Sequence, residues 1–382
     1  MKFIVPKYYK EFKCIADKCK HNCCTEGWEI DIDSNTAELY KKMPGEWGEK
    51  IRQNVEFGET THFKLNEKHT CPFLNDKHLC DVYLNLGDKY MCQICNDHPR
   101  YFEWFEDIKE GGVGLCCEEA GRLILSNNEK FSTIEEEINE DGLGNYDKNL
   151  FNFFKEKRAK LINYLDDTLS INTALKNIII YAKKLQEIID EETLDQDEFS
   201  YFITENNEKE IHNLDEFFSD NYLGNTTKIN IENFKNILDF FINLEANNKN
   251  WTNYLEKNAE KIQYYFAEKN EFLNNYPEIK KYLKNISIYF IWRYFIKATF
   301  DGDVFSRINL MVSSILIIEF LFYCEYRDLG AFNLNTAIEV VRKYSEEVEY
   351  SDDNVQALAD SSYELDIFSA ENLCNLLWFQ KK

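Results

Sequence analysis

Residues 14–24 read CIADKCKHNCC, four thiols within eleven residues. Thiols this close in sequence can converge on one point, and four of them are what a tetrahedral zinc ion or the cage of an iron–sulfur cluster requires. Working outward, Cys71 and Cys80 follow in CPFLNDKHLC, Cys92 and Cys95 in YMCQICNDHPR, and Cys116 with Cys117 closes the region. Ten of the twelve cysteines therefore lie between Cys14 and Cys117, and a density this high calls for a metal rather than for ten inert thiols. Spacing alone leaves zinc and iron–sulfur both open. The run does not fit the C-x3-C-x2-C spacing of radical enzymes, because Cys19 and Cys23 match its first step and Glu26 stands where the third cysteine belongs. His98, three residues past Cys95, and His21 are candidate nitrogen donors, although a lone histidine in such a loop more often serves as a hydrogen-bonding group.

The cysteines also divide the chain. Residues 1–125 read as a cysteine-rich, loop-rich metal-binding module with a few short strands, among them THFKL at Thr61–Leu65 and RYFEWF at Arg100–Phe105, and with a turn at Gly111-Gly112. Residues 126–149 are polar, acidic and glycine-punctuated, an exposed connection. From 150 to 382 the pattern is helical: Phe234, Ile237, Leu238, Phe241 and Leu244 fall on one stripe, as do Leu150, Phe154, Leu161 and Leu165. Further helices are expected over Thr173–Asp190, Trp251–Lys269, Glu278–Phe300 and Ile308–Tyr323. The fold class is mainly α, an all-α helical domain behind the metal module, and no internal repeat is evident. The aromatic residues on the helical faces, Phe240, Phe241, Tyr264, Tyr265 and Phe266, read as core.

Charge narrows the partners. The formal net charge is −24, and the first 125 residues hold 17 Lys and Arg against 22 Asp and Glu, so most of the excess lies on the helical part. An acidic body repels a phosphate backbone and attracts cationic or lysine-bearing proteins, which argues against nucleic acid as a partner. The opening MKFIVPKYYKEFKC contains no apolar stretch of signal-peptide length, and the window Leu310–Tyr323 is shorter than the ~20 residues that cross a bilayer. The expectation is a cytoplasmic chain without a membrane partner, and reduced cytoplasmic thiols favour metal over disulfides.

At these residues the sequence resembles a known family. VPKYYKEFKCIADKCKHNCCTEGWEIDID, CPFL, the HPR after Cys95 and CCEEAGRLIL at Cys116–Leu125 are similar to the flagellin lysine N-methylase (FliB) proteins, whose cysteine style is shared with the YkgJ type of small metal proteins. IYFIWRYFIKATFDGDVFSR at Ile288–Arg307 and YSEEVEYS at Tyr344–Ser351 extend the likeness into the helical part. The resemblance implies methyl transfer from S-adenosylmethionine to surface lysines of flagellin. It also implies a [4Fe–4S] cluster, with zinc as the alternative, and metal ligands at Cys14, Cys19, Cys23, Cys24, Cys71, Cys80, Cys95 and Cys117. Cys92 and Cys116 are additions to that pattern, Glu118 replaces a proline, and Glu346 and Tyr350 stand where the family more often shows arginine and histidine.

Methyl transfer needs a neutral amine, an in-line donor and carboxylates to take the proton. No glycine-rich nucleotide fingerprint is present, so the donor site must be built from the module, the helices or their seam. Asp301, Asp303 and Glu347 are the candidate catalytic carboxylates, and Arg293 and Arg307 the candidate partners of the donor's carboxylate. The simpler reading of Asp301 and Asp303 is the capping of a helix start. Two other functions stand beside the methylase. One is a non-catalytic zinc- or iron–sulfur-binding interaction or electron-carrier protein, and the other an enzyme using Cys92 or Cys116 as nucleophile beside His98.

Overall fold

The computed structural model describes residues 1–25, 30–67, 69–142, 144, 146–167, 170–193, 211–215 and 231–377. Glu26 and parts of the expected 126–149 and 150–382 segments lie outside the described residues. The fold is mainly α, with a small four-stranded sheet at one side of a helical body.

The strands are β1 (Lys2–Pro6), β2 (Val55–Glu56), β3 (His62–Phe63), β4 (Arg100–Phe105), β5 (Ile108–Val113) and β6 (Thr133–Glu137). The main sheet has the order β4-β5-β1-β6, with β4 and β5 a hairpin, β1 parallel to β5 and β6 antiparallel to β1. RYFEWF forms β4 over the expected residues, whereas THFKL supplies only the two residues of β3. Gly111 and Gly112 lie inside β5 rather than in a turn, and the hairpin turns instead at Glu106, which has φ 46. Their smallness is steric: a Cβ at Gly112 would stand 2.3 Å from the Tyr101 hydroxyl, and one at Gly111 3.0 Å from the Phe102 ring. The expected connection contributes β6, whose Thr133 to Glu137 pair with Pro6 to Lys2.

Two cores result. The larger runs from Ile4, Phe12, Phe105, Val113 and Leu123 on the sheet side without interruption into the helices. The smaller holds Ile30, Ile32, Tyr40, Ile51, Val55, Phe63, Phe73 and Val82 together with Cys71 and Cys92. Residues 30–95 thus form a satellite with its own packing, while β1, β4, β5, β6 and the Glu118–Ser126 helix belong to the main body. Arg158 fastens sheet to helices. From the Lys148–Asp167 helix its guanidinium donates to both carboxylate oxygens of Glu110 on β5, at 2.6 Å each, and its face lies 4.1 Å from the Trp292 ring centroid.

The helical stripes read from the sequence become Lys148–Asp167, Ile171–Thr193 and Ile231–Ile242. The expected Trp251–Lys269 helix is two, Lys249–Ala259 and Ile262–Asn275, with Lys261 at the break reaching back to the Asn258 side chain at 2.9 Å. Glu278–Phe300 resolves into Glu278–Tyr294, a 3-10 turn and Ala298–Asp301. The central element is Phe305–Leu329, which is long and apolar enough to cross a membrane, yet 94% of its most apolar window is buried inside the protein. It begins where Asp303 accepts from the Ser306 amide at 3.0 Å and ends at Gly330, whose φ of 71 supplies the left-handed stop.

Candidate functional site

Eight of the ten module thiols fall into two groups. Cys14, Cys19, Cys23 and Cys117 lie near one another at the seam with the helices, close enough for Cys117 to feel the charges of Cys14 and Cys23, and Cys19 that of Cys117. Cys71, Cys80, Cys92 and Cys95 lie in the satellite, where the Cys92 and Cys95 sulfurs are 3.3 Å apart and Cys95 feels both Cys71 and Cys80. Cys24 stands between them, its thiol against those of Cys23 and Cys71. All ten are free. Burial pushes the Cys19 thiol up to about 12 and the Cys117 thiol up to about 11, so these are protonated at neutral pH until a metal cation draws off the proton. Among the described residues no three or more Cys, His, Asp or Glu side chains stand close enough together, as they are, to hold a metal ion. The donor chemistry nonetheless fits a thiolate-bound centre, and a set of eight ligands is compatible with one centre with spare thiols or with two of four ligands each.

The first group is tied to the helical body. The Glu118 carboxylate accepts from the Lys20 amide at 2.8 Å and from the Cys19 thiol at 3.6 Å. His21 Nε2 pairs with Glu339 at 2.6 Å, and Glu339 pairs with Arg342, which also holds Glu346. Glu346 lies in the π-helical turn Ser345–Glu349, a form of backbone found frequently at functional sites.

That turn delivers Glu349 into a buried cage at the same seam. Glu349 Oε1 accepts from Tyr289 at 2.9 Å and Tyr294 at 3.1 Å, and pairs with Arg293 Nη1 at 3.3 Å. The Arg293 guanidinium lies 4.6 Å from the Tyr101 ring centroid, 5.1 Å from Tyr350, 5.2 Å from Tyr294 and 5.9 Å from Tyr289. Burial opposes its charge, but the tyrosines and Glu349 outweigh burial and hold its pKa well above the ordinary value. Glu349 Oε2 and the Tyr101 hydroxyl are buried without a hydrogen-bond partner. The module closes the cage: the Cys116 thiol meets the Tyr350 hydroxyl, and a Cβ at Gly114 would stand 2.2 Å from that hydroxyl. Tyr289 also lines a small cleft, partly open to solvent, with Tyr8, Asn127, Asp166 and Asn285.

The residues singled out from the sequence are not gathered at one place. Arg293 is in the cage. Glu347, in the same π turn, accepts from the Asn248 amide at 3.2 Å on another side. Asp301, Asp303 and Arg307 form a separate network at the start of the Phe305–Leu329 helix, with Arg307 Nη2 2.6 Å from Asp301 and Tyr363 donating to Asp303 at 2.8 Å. Tyr101, Tyr289 and Tyr294 were not singled out, and Tyr350 was noted only for standing where the family more often shows histidine. Their common signal, four tyrosines and a carboxylate around one arginine, exists only in three dimensions.

His98 stands edge-on to Tyr350 with ring centroids 6.4 Å apart, and burial lowers its pKa from 6.5 to about 4. The unfolded chain therefore binds the proton more readily between those values. His98 contributes its full stability above pH 6.5, and that contribution, at most about 3 kcal/mol, is lost as pH falls towards 4. Urea midpoints at pH 7 and pH 5 should fall further in the native chain than in His98→Gln; equal falls would show that another group carries the loss.

Residues 158–376, more than half of the chain, match the model of the FliB lysine N-methylase C-terminal domain. The chain belongs to the FliB lysine N-methylase family. The matched span carries Arg293, Tyr289, Tyr294, Tyr350 and Glu349, so most of the cage lies in the part that defines the family. Among its relatives are the lysine-N-methylases of Salmonella typhimurium and Salmonella choleraesuis, each 26% identical over 202 residues, covering 48% of this chain and 48% of the relative. The flagellar biosynthetic protein FliU of Salmonella muenchen is 26% identical over 133 residues, 32% of this chain and 76% of that protein. The chain thus spans about half the length of the two lysine-N-methylases it matches. No solved structure matches it.

Proposed function

We propose that this chain is an S-adenosylmethionine-dependent protein-lysine N-methyltransferase acting on surface lysines of flagellin in the cytoplasm. The observation that carries the reading is the family match over residues 158–376. In the reaction the lysine ε-nitrogen attacks the donor methyl, the carbon–sulfur bond breaks with its electron pair left on sulfur, and the product ammonium gives up a proton. Both the sulfonium and the ammonium are cations, and tyrosine rings with a carboxylate are the surroundings that favour cations in a dry site. The cage has that chemistry. Tyr289 joins it to the cleft; in this reading Glu349 would receive a proton through the Tyr289 hydroxyl and Arg293 would pair with the donor's carboxylate. Cys14, Cys19, Cys23 and Cys117 would hold a [4Fe–4S] cluster at the seam, where such a group supplies electron transfer or anchorage.

The burial of Arg293 within the cage favours a second reading, in which the cage is a structural clamp and the chain a non-catalytic metal-thiolate protein. Full-length protein purified without oxygen, its iron and sulfide measured, should be incubated with flagellin and S-adenosylmethionine carrying a labelled methyl group, with and without reductant. Methyl label on flagellin lysines supports the methyltransferase. Folded, iron-loaded protein that neither binds the donor nor labels flagellin overturns it in favour of the second reading.

A further inference from the structure

The satellite contains a short repeat that its sequence spells plainly: NEKHTC at Asn66–Cys71 and NDKHLC at Asn75–Cys80. The two copies fold alike. The Asn66 amide donates to the Thr70 carbonyl at 3.0 Å, the Thr70 amide to the Asn66 side chain at 3.1 Å and the His69 amide to the Asn66 carbonyl at 2.8 Å. In the second copy the Asn75 amide donates to Leu79 at 3.0 Å, the Leu79 amide to the Asn75 side chain at 3.1 Å and the His78 amide to the Asn75 carbonyl at 2.9 Å. The histidines have φ 55 and φ 57, a left-handed backbone seldom adopted by a residue other than glycine. A device repeated down to its strained residue has one evident product: each turn ends two residues later in a cysteine. Both cysteines lie in the second thiol group, near enough to the C-x2-C pair for Cys95 to feel their charges, with Cys71 also against the Cys24 thiol.

We propose that Cys71, Cys80, Cys92 and Cys95 bind one structural zinc ion, a centre separate from the thiol group at the seam. Two paired turns facing a C-x2-C pair is a spacing suited to tetrahedral thiolate zinc. The 3.3 Å between the Cys92 and Cys95 sulfurs lies close to the ~3.8 Å that two thiolates keep on one zinc at ~2.3 Å bonds. An iron–sulfur cage, whose thiolates sit on different irons, spreads them wider. The surroundings agree: Cys71 and Cys92 are buried members of a core of only a dozen residues, too small to hold residues 30–95 alone, and metal ligation supplies the missing folding free energy. Cys92 becomes a ligand, and Cys24 is left between the two centres. The centre is independent of methyl transfer.

The test is zinc X-ray absorption on the full-length protein purified without added metal, together with zinc and iron counts. About one zinc per chain with four sulfur neighbours near ~2.3 Å is expected. Cys92→Ser should lower zinc occupancy at least tenfold while leaving iron unchanged, and the Cys14→Ser/Cys117→Ser chain should keep its zinc. Absence of zinc, nitrogen or oxygen neighbours in the native chain, or zinc lost from the Cys14→Ser/Cys117→Ser chain but kept in Cys92→Ser, would each overturn the assignment. Should Cys92→Ser fail to fold, the native absorption spectrum decides alone.

Discussion

Arg158→Met is expected to destabilise the folded chain by about 3–5 kcal/mol, the cost of leaving one member of a buried ion pair without its partner. The side chains of Arg158 and Glu110 are 3% and 4% exposed, and both carboxylate oxygens are held at 2.6 Å. The guanidinium also donates to the Trp292 carbonyl at 3.3 Å, and Trp292 Nε1 donates to the Gly111 carbonyl at 3.0 Å, so several polar links between sheet and helices gather at this pair. Urea unfolding should show the midpoint lowered with its slope retained. The double variant Arg158→Met/Glu110→Leu, which removes both charges, should recover most of the loss. A loss below about 1 kcal/mol in the single variant would mean that the seam is held by apolar packing and that the pair is close to neutral in energy.

Glu349→Leu should cost a similar amount, about 3 kcal/mol or more, because Arg293 then sits in the protein interior with no counter-charge and two tyrosine hydroxyls lose their acceptor. The informative comparison is Arg293→Met/Glu349→Leu. Stability should return in the double variant, since a well-packed apolar pair can replace a buried ionic one. Methyl transfer to flagellin should not return. Were activity to recover along with stability, the cage would be a clamp and nothing more, and the chemistry would have to be sought elsewhere on the seam.

What could be read from the amino-acid order is what depends on neighbours in sequence. The stripes through Phe234 and Leu150 and the alternation in RYFEWF are local patterns, and they gave helices and β4 where expected. The parallel pairing of β1 with β5, across more than a hundred residues, has no local signature. Nor does Glu110, an acidic residue in a strand, reveal that it will be buried until Arg158 is placed. The glycines at 111 and 112 mark a close approach of Tyr101 and Phe102, and a crowded strand and an open turn ask for the same residue. The thiols announced a metal by number, but their division depends on which loop turns towards which core. The NxKHxC repeat was legible and spans too few residues to register as a repeat of folding units.

The place of β1 in the sheet has a bearing on synthesis. This strand leaves the ribosome before its partners β5 and β6, which follow roughly a hundred residues later. At ~5–20 residues per second the nascent chain waits on the order of 5–20 s with its sheet unformed. Throughout that interval the thiol-bearing excursion between β1 and β4 is tethered at one end only. Arg100 settles over the Phe12 ring at 5.0 Å only when β4 is in place, at the base of the excursion. For the metal centres proposed above, that open interval would be the easiest time to take up metal, and a finished chain without metal would have to open its own sheet to do so.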